Sequence, residues 1–155
     1  LLFSGVMDDS PNLPSELRHF VREQWGFETL RPNQEKAIAA LLARRDSLVI
    51  MPTGGGKSLC YQAPAAFRKD ELTVVVSPLI ALMKDQVDHL TEAGICAVRV
   101  DSSLNDSQRR EAFRLLNNKQ ARLLFASPEK LTSEPFRDFL HSLGVRTFAI
   151  DEAHC

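Results

Sequence analysis

Residues 48–58 have the sequence LVIMPTGGGKS, in which a short apolar run leads through a proline into three glycines, a lysine and a serine. A near-continuous apolar run bounded by a turn signal is typical of a strand that is covered on both faces. The residues that follow, Ser58–Phe67, have helical character. This stretch therefore predicts a strand, a glycine-rich loop and a helix, in that order.

The same alternation continues along the rest of the chain, where short runs rich in Val, Ile, Leu and Phe are separated by amphipathic stretches. The predicted strands are 48–51, 73–76, 97–100, 123–126 and 147–150, and the predicted helices are Ser58–Phe67, Leu79–Ala93, Ser107–Asn117 and Phe136–Leu143. Strands joined by helices need crossover connections, so the pattern predicts an α/β fold with a parallel sheet and helices on both faces. An N-terminal helical segment precedes the sheet, with one helix over Leu13–Trp25 and a second that opens at Pro32.

The composition is that of one ordinary globular domain. The chain has 155 residues, of which 44% are hydrophobic and 25% charged, and these proportions exclude a disordered or low-complexity protein. The net charge of −1 excludes a polycationic nucleic-acid coat but allows a local basic groove.

The spacing of the cysteines argues against a zinc-binding protein, and the length of the apolar runs argues against a membrane-spanning one. The three cysteines, at positions 60, 96 and 155, have no C-x-x-C spacing, so we expect no zinc site within this chain and a reducing compartment. No apolar run reaches the roughly 18 residues of a membrane span, so no membrane partner is expected. Residues 1–12 are largely polar and are predicted to be a flexible lead-in.

The glycine-rich loop predicts a phosphate site. Consecutive glycines at 54–56 let backbone N–H groups converge on phosphate oxygens without obstruction by Cβ atoms. Lys57 would reach the β- and γ-phosphates of a nucleotide, and the Ser58 hydroxyl would ligate Mg²⁺. The strict pattern of this motif has glycine where this chain has Met51. The alternative is a glycine-rich turn with an incidental lysine.

Two acids follow the last predicted strand. A carboxylate at the tip of a buried apolar strand is costly unless it binds a cation, so Asp151 is a candidate Mg²⁺ ligand. Glu152 would then polarise the attacking water. The alternative is that the two acids cap a helix. The phosphate loop in the same predicted sheet favours the catalytic interpretation.

Together these motifs resemble those of the RecQ family of superfamily 2, DEAH-box, ATP-dependent DNA helicases. The resemblance extends from about Leu13 to the last residue, and Met51 is a residue that this family tolerates. The segments that carry it are 26–34 (GFETLRPNQ), 52–62 (PTGGGKSLCYQ), 77–87 (SPLIALMKDQV), 126–131 (ASPEKL) and 151–155 (DEAHC). The resemblance implies a P-loop NTPase domain with a RecA-like fold, ATP and Mg²⁺ as cofactors, and single-stranded or duplex DNA as partner.

The resemblance also implies roles for individual residues. The ATP-binding residues would be Phe27, Arg31, Gln34, Thr53, Gly54, Gly55, Gly56, Lys57 and Ser58, with the first three at the adenine. The catalytic residues would be Lys57, Asp151 and Glu152, and His154 would couple the nucleotide site to a later motif. Without the family, Phe27 could instead pack in the core, and Gln34 could be a solvated residue in the first turn of a helix.

The segments at 77–87 and 126–131 would contact the DNA backbone. The residues concerned are Ser77, Pro78, Leu79, Lys84, Ser127 and Pro128. Both prolines are predicted at the first position of a helix, where exposed N–H groups suit a phosphate. The alternative is that Ser-Pro simply caps the helix at each strand-to-helix turn.

The resemblance makes residues 13–155 part of a first motor domain. Relatives continue into a second RecA-like domain needed for activity, and their next strand usually lies between the two catalytic strands. We therefore expect this piece to be poorly stable and inactive as a helicase alone. Its parent would be an ATP-dependent 3′–5′ DNA helicase of the cytoplasm and nucleoid, or of the nucleus in a eukaryote, acting in repair and recombination. The alternatives are an RNA helicase of the same superfamily and a non-catalytic nucleotide- or DNA-binding module.

Overall fold

The computed structural model of the chain describes residues 13–52 and 54–153, and its contacts divide the chain into two compact units, 1–64 and 65–155. The predictions for residues 1–12, for Thr53 and for His154 lie outside the described residues.

The first unit contains the two predicted N-terminal helices, α1 (Ser15–Trp25) and α2 (Pro32–Leu42). Leu17 and Val21, one turn apart on α1, are both fully buried. The helix ends where predicted, because Gly26 takes a φ of 71° and donates its N–H to the Arg22 carbonyl at 2.9 Å. Helix α2 begins at Pro32, which confirms the expectation that a proline opens it.

The prediction of a strand over residues 48–51 is wrong for this structure. These residues form no regular element, and the side chains of Leu48 and Ile50 are 81% and 75% exposed. A strand is stabilised by hydrogen bonds to a neighbouring strand, and no described strand pairs with this run. An apolar run alone therefore predicts the capacity to form a strand, not the pairing that realises it.

Helix α3 (Leu59–Phe67) follows the glycine-rich loop and continues from the first unit into the second. The elements that come after it are β1 (Thr73–Val76), α4 (Ile80–Glu92), β2 (Ala97–Val100), α5 (Asp106–Asn117), β3 (Leu123–Ala126), α6 (Pro128–Thr132), α7 (Glu134–Ser142) and β4 (Thr147–Ile150). The four strands have the predicted bounds. Strands alternate with helices as the sequence pattern indicates.

The four strands form one parallel sheet in the order β2-β3-β1-β4. Val76 at the end of β1 is in register with Ala126 of β3 and Ile150 of β4, and Ala126 is in register with Val100 of β2. The carboxyl ends of all four strands therefore lie along one edge of the sheet, which is where ligands of open α/β sheets bind.

Helices cover both faces of the sheet. On one face, α5 and α7 pack against alternate residues of the strands; the buried cluster there is Val74, Val76, Val98, Val100, Ala112, Leu116, Ala121, Leu124, Ala126, Phe136 and Leu140. The other face carries Val75 and Phe125, also buried, and α4 packs on β2 and β3 through a different set of buried residues that includes Met83. This arrangement confirms the predicted parallel α/β sheet of the RecA-like P-loop type.

Candidate nucleotide and DNA sites

The glycine-rich loop has a backbone that only glycine accommodates. Gly54 and Gly56 both take a φ of 75°, and the Gly55 N–H donates to the Pro52 carbonyl at 2.9 Å. A Cβ added to Gly55 would lie 2.7 Å from the Pro52 oxygen, and one added to Gly56 would lie 2.5 Å from Nε2 of Gln34. The loop thus approaches its neighbours more closely than side chains allow, as a loop built to cradle phosphates by its backbone requires.

Lys57 and Ser58 lead directly into α3. Their carbonyls accept the first helical hydrogen bonds, from Cys60 N–H to Lys57 at 3.0 Å and from Gln62 N–H to Ser58 at 2.9 Å. Nζ of Lys57 donates to the carbonyl of Met51 at 3.2 Å, and an ammonium group has three donors in all. The loop, the lysine and the helix N-terminus therefore follow one another as the phosphate-binding motif demands, and Met51 takes part in the loop through its backbone.

Gln34 connects the predicted adenine segment to this loop. Its side chain is 6% exposed; Nε2 donates to the Gly56 carbonyl at 3.2 Å and Oε1 accepts from the Arg31 N–H at 2.9 Å. Gln34 is therefore not a solvated residue of the first helical turn, which was one alternative. Sequence reasoning did not anticipate the bond to Gly56, because no local pattern links positions that are 22 residues apart.

Phe27 and Arg31 of the same segment lie on the surface of the first unit. Phe27 is 49% exposed, so it does not pack in the core as its alternative interpretation required. Arg31 is exposed and its backbone N–H is held by Gln34. An aromatic ring, a planar cation and an amide within one segment are groups that can stack on and hydrogen-bond a heteroaromatic ring.

In the second unit, Asp151 stands at the carboxyl edge of the sheet. Its N–H donates to the Val76 carbonyl at 2.8 Å, which extends the ladder between β1 and β4 by one bond. Glu152 has a φ of 52° and donates its N–H to Oδ1 of Asp151 at 3.1 Å. Both acids are half-buried. The backbone at Asp151 is thus fixed by its bond to β1, and Glu152 has a left-handed backbone conformation. In a residue with a side chain this conformation costs free energy, and it clusters at functional sites.

Ser77 follows the neighbouring strand. It is 2% exposed, its N–H donates to the Ala126 carbonyl at 3.1 Å, and its Oγ accepts from the Leu79 N–H at 3.4 Å. Because Leu79 is held in an extended conformation, with φ −102° and ψ 96°, α4 begins only at Ile80. The prediction that Pro78 occupies the first helical position is therefore wrong.

In the second Ser-Pro turn the proline has the predicted helical position. Pro128 is the first residue of α6 and Ser127 precedes it as the N-cap residue. The pKa of Glu129 is lowered by its own backbone N–H and then by the Ser127 hydroxyl. Lys84, also predicted at the DNA, forms an exposed ion pair with Asp88 at 3.3 Å.

A buried ion pair after β2 escaped the sequence predictions. Asp101 is 1% exposed, pairs with Arg99, and accepts from the Ser103 N–H at 2.8 Å and from its hydroxyl at 2.6 Å. The available signal was an acid directly after an apolar run, as at Asp151. The partner at position 99 could not be recognised, because strand residues alternate faces and Arg99 would have been taken for a solvated side chain.

Neither a metal-binding cluster nor a membrane-spanning helix is found among the residues that the structure describes. Across residues 13–52 and 54–153, no group of three or more His, Cys, Asp or Glu side chains is placed to hold a metal ion. Within the same ranges, no helix has the length and apolar character needed to cross a membrane.

Comparison with known proteins shows which family the chain resembles. The model of the DEAD/DEAH box helicase family matches residues 31–155. The chain is 45% identical, over 90% of its length, to the ATP-dependent DNA helicase RecQ of Synechocystis sp., and 46% identical, over 84% of its length, to RecQ of Bacillus subtilis. It is 42% identical, over 90% of its length, to the ATP-dependent DNA helicase Q5 of Rattus norvegicus. The matched region spans 29%, 22% and 15% of these three relatives, so the chain corresponds to a minor part of each.

Proposed function

We propose that this chain, which belongs to the DEAD/DEAH box helicase family, is the nucleotide-binding part of a RecQ-type ATP-dependent DNA helicase. The observation that carries the proposal is the glycine loop, in which a Cβ on Gly55 would meet the Pro52 carbonyl, and Gly56 has a positive φ and accepts a hydrogen bond from the buried Gln34. The intact protein would use ATP hydrolysis to translocate 3′ to 5′ on single-stranded DNA and unwind duplex DNA. Residues 13–155 would form part of its first motor domain, with a second RecA-like domain completing the enzyme.

The donor chemistry of the residues in each unit suits a nucleotide and its Mg²⁺ ion. Thr53, Gly54, Gly55 and Gly56 would bind phosphate oxygens through the backbone, and Lys57 would neutralise the β- and γ-phosphates. Ser58 and Asp151 would hold Mg²⁺, which supplies charge neutralisation at the phosphates when it is bound with ATP. Glu152 would orient the attacking water and accept its proton.

The adenine would be bound by the three residues of the first helical segment. Phe27 offers an exposed ring face, Arg31 a planar cation, and Gln34 an amide that is already fixed in place by Arg31 and Gly56. Because the Gln34 side chain donates a hydrogen bond to the Gly56 carbonyl, a change in how that side chain binds the adenine would act directly on the phosphate loop.

The DNA backbone would be contacted along the carboxyl edge of the sheet. Ser77, Pro78, Leu79 and Lys84 follow β1, while Ser127 and Pro128 follow β3, its neighbour in the sheet. Turns on adjacent strands are about 5 Å apart, close enough to contact neighbouring phosphates of one strand of DNA. His154 would couple the nucleotide site to a later motif. A protein with these partners would act in the bacterial cytoplasm and nucleoid or in a eukaryotic nucleus.

Replacing Lys57 by Ala in the intact protein tests the proposal. We expect ATP turnover to fall by about 100-fold or more, because an electrostatic contact to the transferred phosphate is lost. The matched control is Lys69→Ala, which removes an exposed lysine outside the loop and should leave turnover unchanged. DNA-stimulated hydrolysis that survives Lys57→Ala would contradict the assignment.

The same assay separates the rival functions. Stimulation of the unaltered protein by single-stranded DNA is expected, whereas stimulation by RNA alone would indicate an RNA helicase. Nucleotide binding without turnover, measured by titration with and without Mg²⁺, would indicate a non-catalytic binding module.

A further inference from the structure

Helix α6 is too short to be stable by itself. It has five residues, Pro128–Thr132, and helices below roughly 12 residues are marginal in water without outside contacts. Residues 129–133 supply two hydrogen bonds at its C-terminal end, from the Thr132 hydroxyl to the Glu129 carbonyl at 2.7 Å and from the Ser133 N–H to the Lys130 carbonyl at 3.2 Å. The last carbonyls of the helix need donors from elsewhere.

Arg137 of α7 supplies those donors. Its Nη1 group donates to the carbonyl of Leu131 at 3.0 Å and to that of Thr132 at 2.9 Å. A guanidinium at this end also places a positive charge against the negative end of the helix dipole. One side chain from the next helix thus closes the C-terminal turn of α6.

The backbone that carries Arg137 is itself fixed. Its neighbour Phe136 is 7% exposed and Leu140, one turn further on, is 4% exposed, and both belong to the buried cluster under the sheet. Leu131 of α6 packs against the same cluster. Arg137 therefore connects the C-terminal end of α6 to a helix whose inner face is buried against the sheet.

We infer that Arg137 is a positioning residue for the DNA contact at Ser127 and Pro128, an inference that rests on the proposed function. A loose α6 would have to be ordered each time DNA binds, and that ordering would weaken binding. With the Leu131 and Thr132 carbonyls held, Ser127 and Pro128 are presented to the DNA backbone in one geometry. Arg137 acts through α6 and needs no contact with DNA itself.

The test measures ATP turnover of the intact protein against the concentration of single-stranded DNA. Arg137→Met keeps the aliphatic stem but loses both hydrogen bonds, and we expect the half-saturating DNA concentration to rise about tenfold. The kcat at saturating DNA should change by less than about twofold, because the chemistry at the nucleotide does not involve α6. Arg137→Lys, which retains a donor and the charge, should recover part of the loss. Arg110→Met, the control, removes an exposed arginine of α5 and should change neither value.

Hydrogen exchange without DNA provides the second measurement. The amides of residues 130–133 should exchange faster in Arg137→Met while those of β3 do not change, since only the α6 turn is loosened. Unchanged exchange together with weaker DNA binding would mean that Arg137 touches DNA directly, and this would overturn the inference. An unchanged half-saturating concentration in Arg137→Met would overturn it as well. A parent protein that DNA does not stimulate would instead refute the proposed function, and the inference with it.

Discussion

Asp101 shows how a single residue can be both buried and charged. Burial works to raise its pKa, but the hydrogen bonds from Ser103 and the charge and hydrogen bond of Arg99 outweigh it, so the pKa lies below its ordinary value. Arg99 is also largely buried, with 13% of its side chain exposed, and donates to the Ser103 hydroxyl at 2.9 Å. The three side chains satisfy one another, which is the condition under which a buried ion pair is tolerated.

Replacing Asp101 by Asn should therefore destabilise the protein by about 3 kcal/mol, because it leaves the guanidinium of Arg99 buried without a counter-charge. Since the folded state holds the proton of Asp101 less tightly than the unfolded chain does, the stabilisation is present above the ordinary pKa of 3.8 and is lost as the pH falls through the lower folded value. Urea unfolding at pH 7 and at acid pH measures both effects.

The control for this prediction is Glu111→Gln. Glu111 pairs with Arg114 in a similar way, but both side chains are more than half exposed, so water replaces the lost contact. Equal losses of stability in Asp101→Asn and Glu111→Gln would show that burial does not govern the energy of the Arg99 pair.

At the scale of the elements, three helices of the second unit are followed by the same left-handed backbone conformation but not by the same residue. Two residues after the last residue of α4 and of α7 stand Gly94 and Gly144, with φ of 74° and 68°, whereas Lys119 holds the same place after α5, with φ 55°. The hydrogen bonds at these two positions are alike: the N–H of Gly94 donates to the Thr91 carbonyl at 2.9 Å, and that of Lys119 donates to the Leu116 carbonyl at 3.0 Å. A left-handed residue costs little for glycine and more for lysine.

We expect Lys119→Gly to raise the free energy of unfolding by about 0.5–1 kcal/mol, because it relieves the left-handed strain at the end of α5. Gly94→Ala introduces the same strain at the end of α4, where a Cβ meets nothing within 4 Å, and should lower stability by about 1 kcal/mol. Denaturant midpoints compare the two variants. A change of the same sign in both would mean that side-chain contacts, and not the backbone, decide these positions.

At the scale of the whole molecule, burial is unequal across the sheet. Every residue of β1 and β3 is buried, while β4, the last strand in the sheet order, alternates half-buried and exposed residues. Phe148 and Ile150 of β4 are 50% and 59% exposed. Large apolar side chains exposed in a row mark a surface that could be covered, and they contribute little to the stability of the described structure.

Val76 of β1 and Ile150 of β4 are in register, and substitutions at both test how this difference in burial affects stability. Val76 is 5% exposed, so Val76→Ala should cost about 2 kcal/mol through lost burial and the cavity that remains. Ile150→Ala should cost less than about 1 kcal/mol, because most of the side chain already contacts water. Urea unfolding of this chain measures both. An equal cost would mean that a segment outside the described residues covers Ile150.

Local features of the sequence predicted most of the elements and the loop. The four paired strands, the proline that opens α2, the glycine that ends α1 and the glycines of the phosphate loop all follow from periodicity or from the conformation of one residue. The Pro78 prediction failed at the same scale, because the Ser77 hydroxyl holds Leu79 in an extended turn and delays the helix.

What the tertiary structure decided are the contacts between residues distant in the sequence. The sequence by itself determined where strands can form and which loop can cradle phosphate, since both depend on neighbouring residues. It did not determine that residues 48–51 remain unpaired, that Gln34 binds Gly56, or that Arg99 is buried with Asp101. Strand pairing and buried polar bonds depend on which groups the folded chain brings together and shields from water, and no local pattern records that.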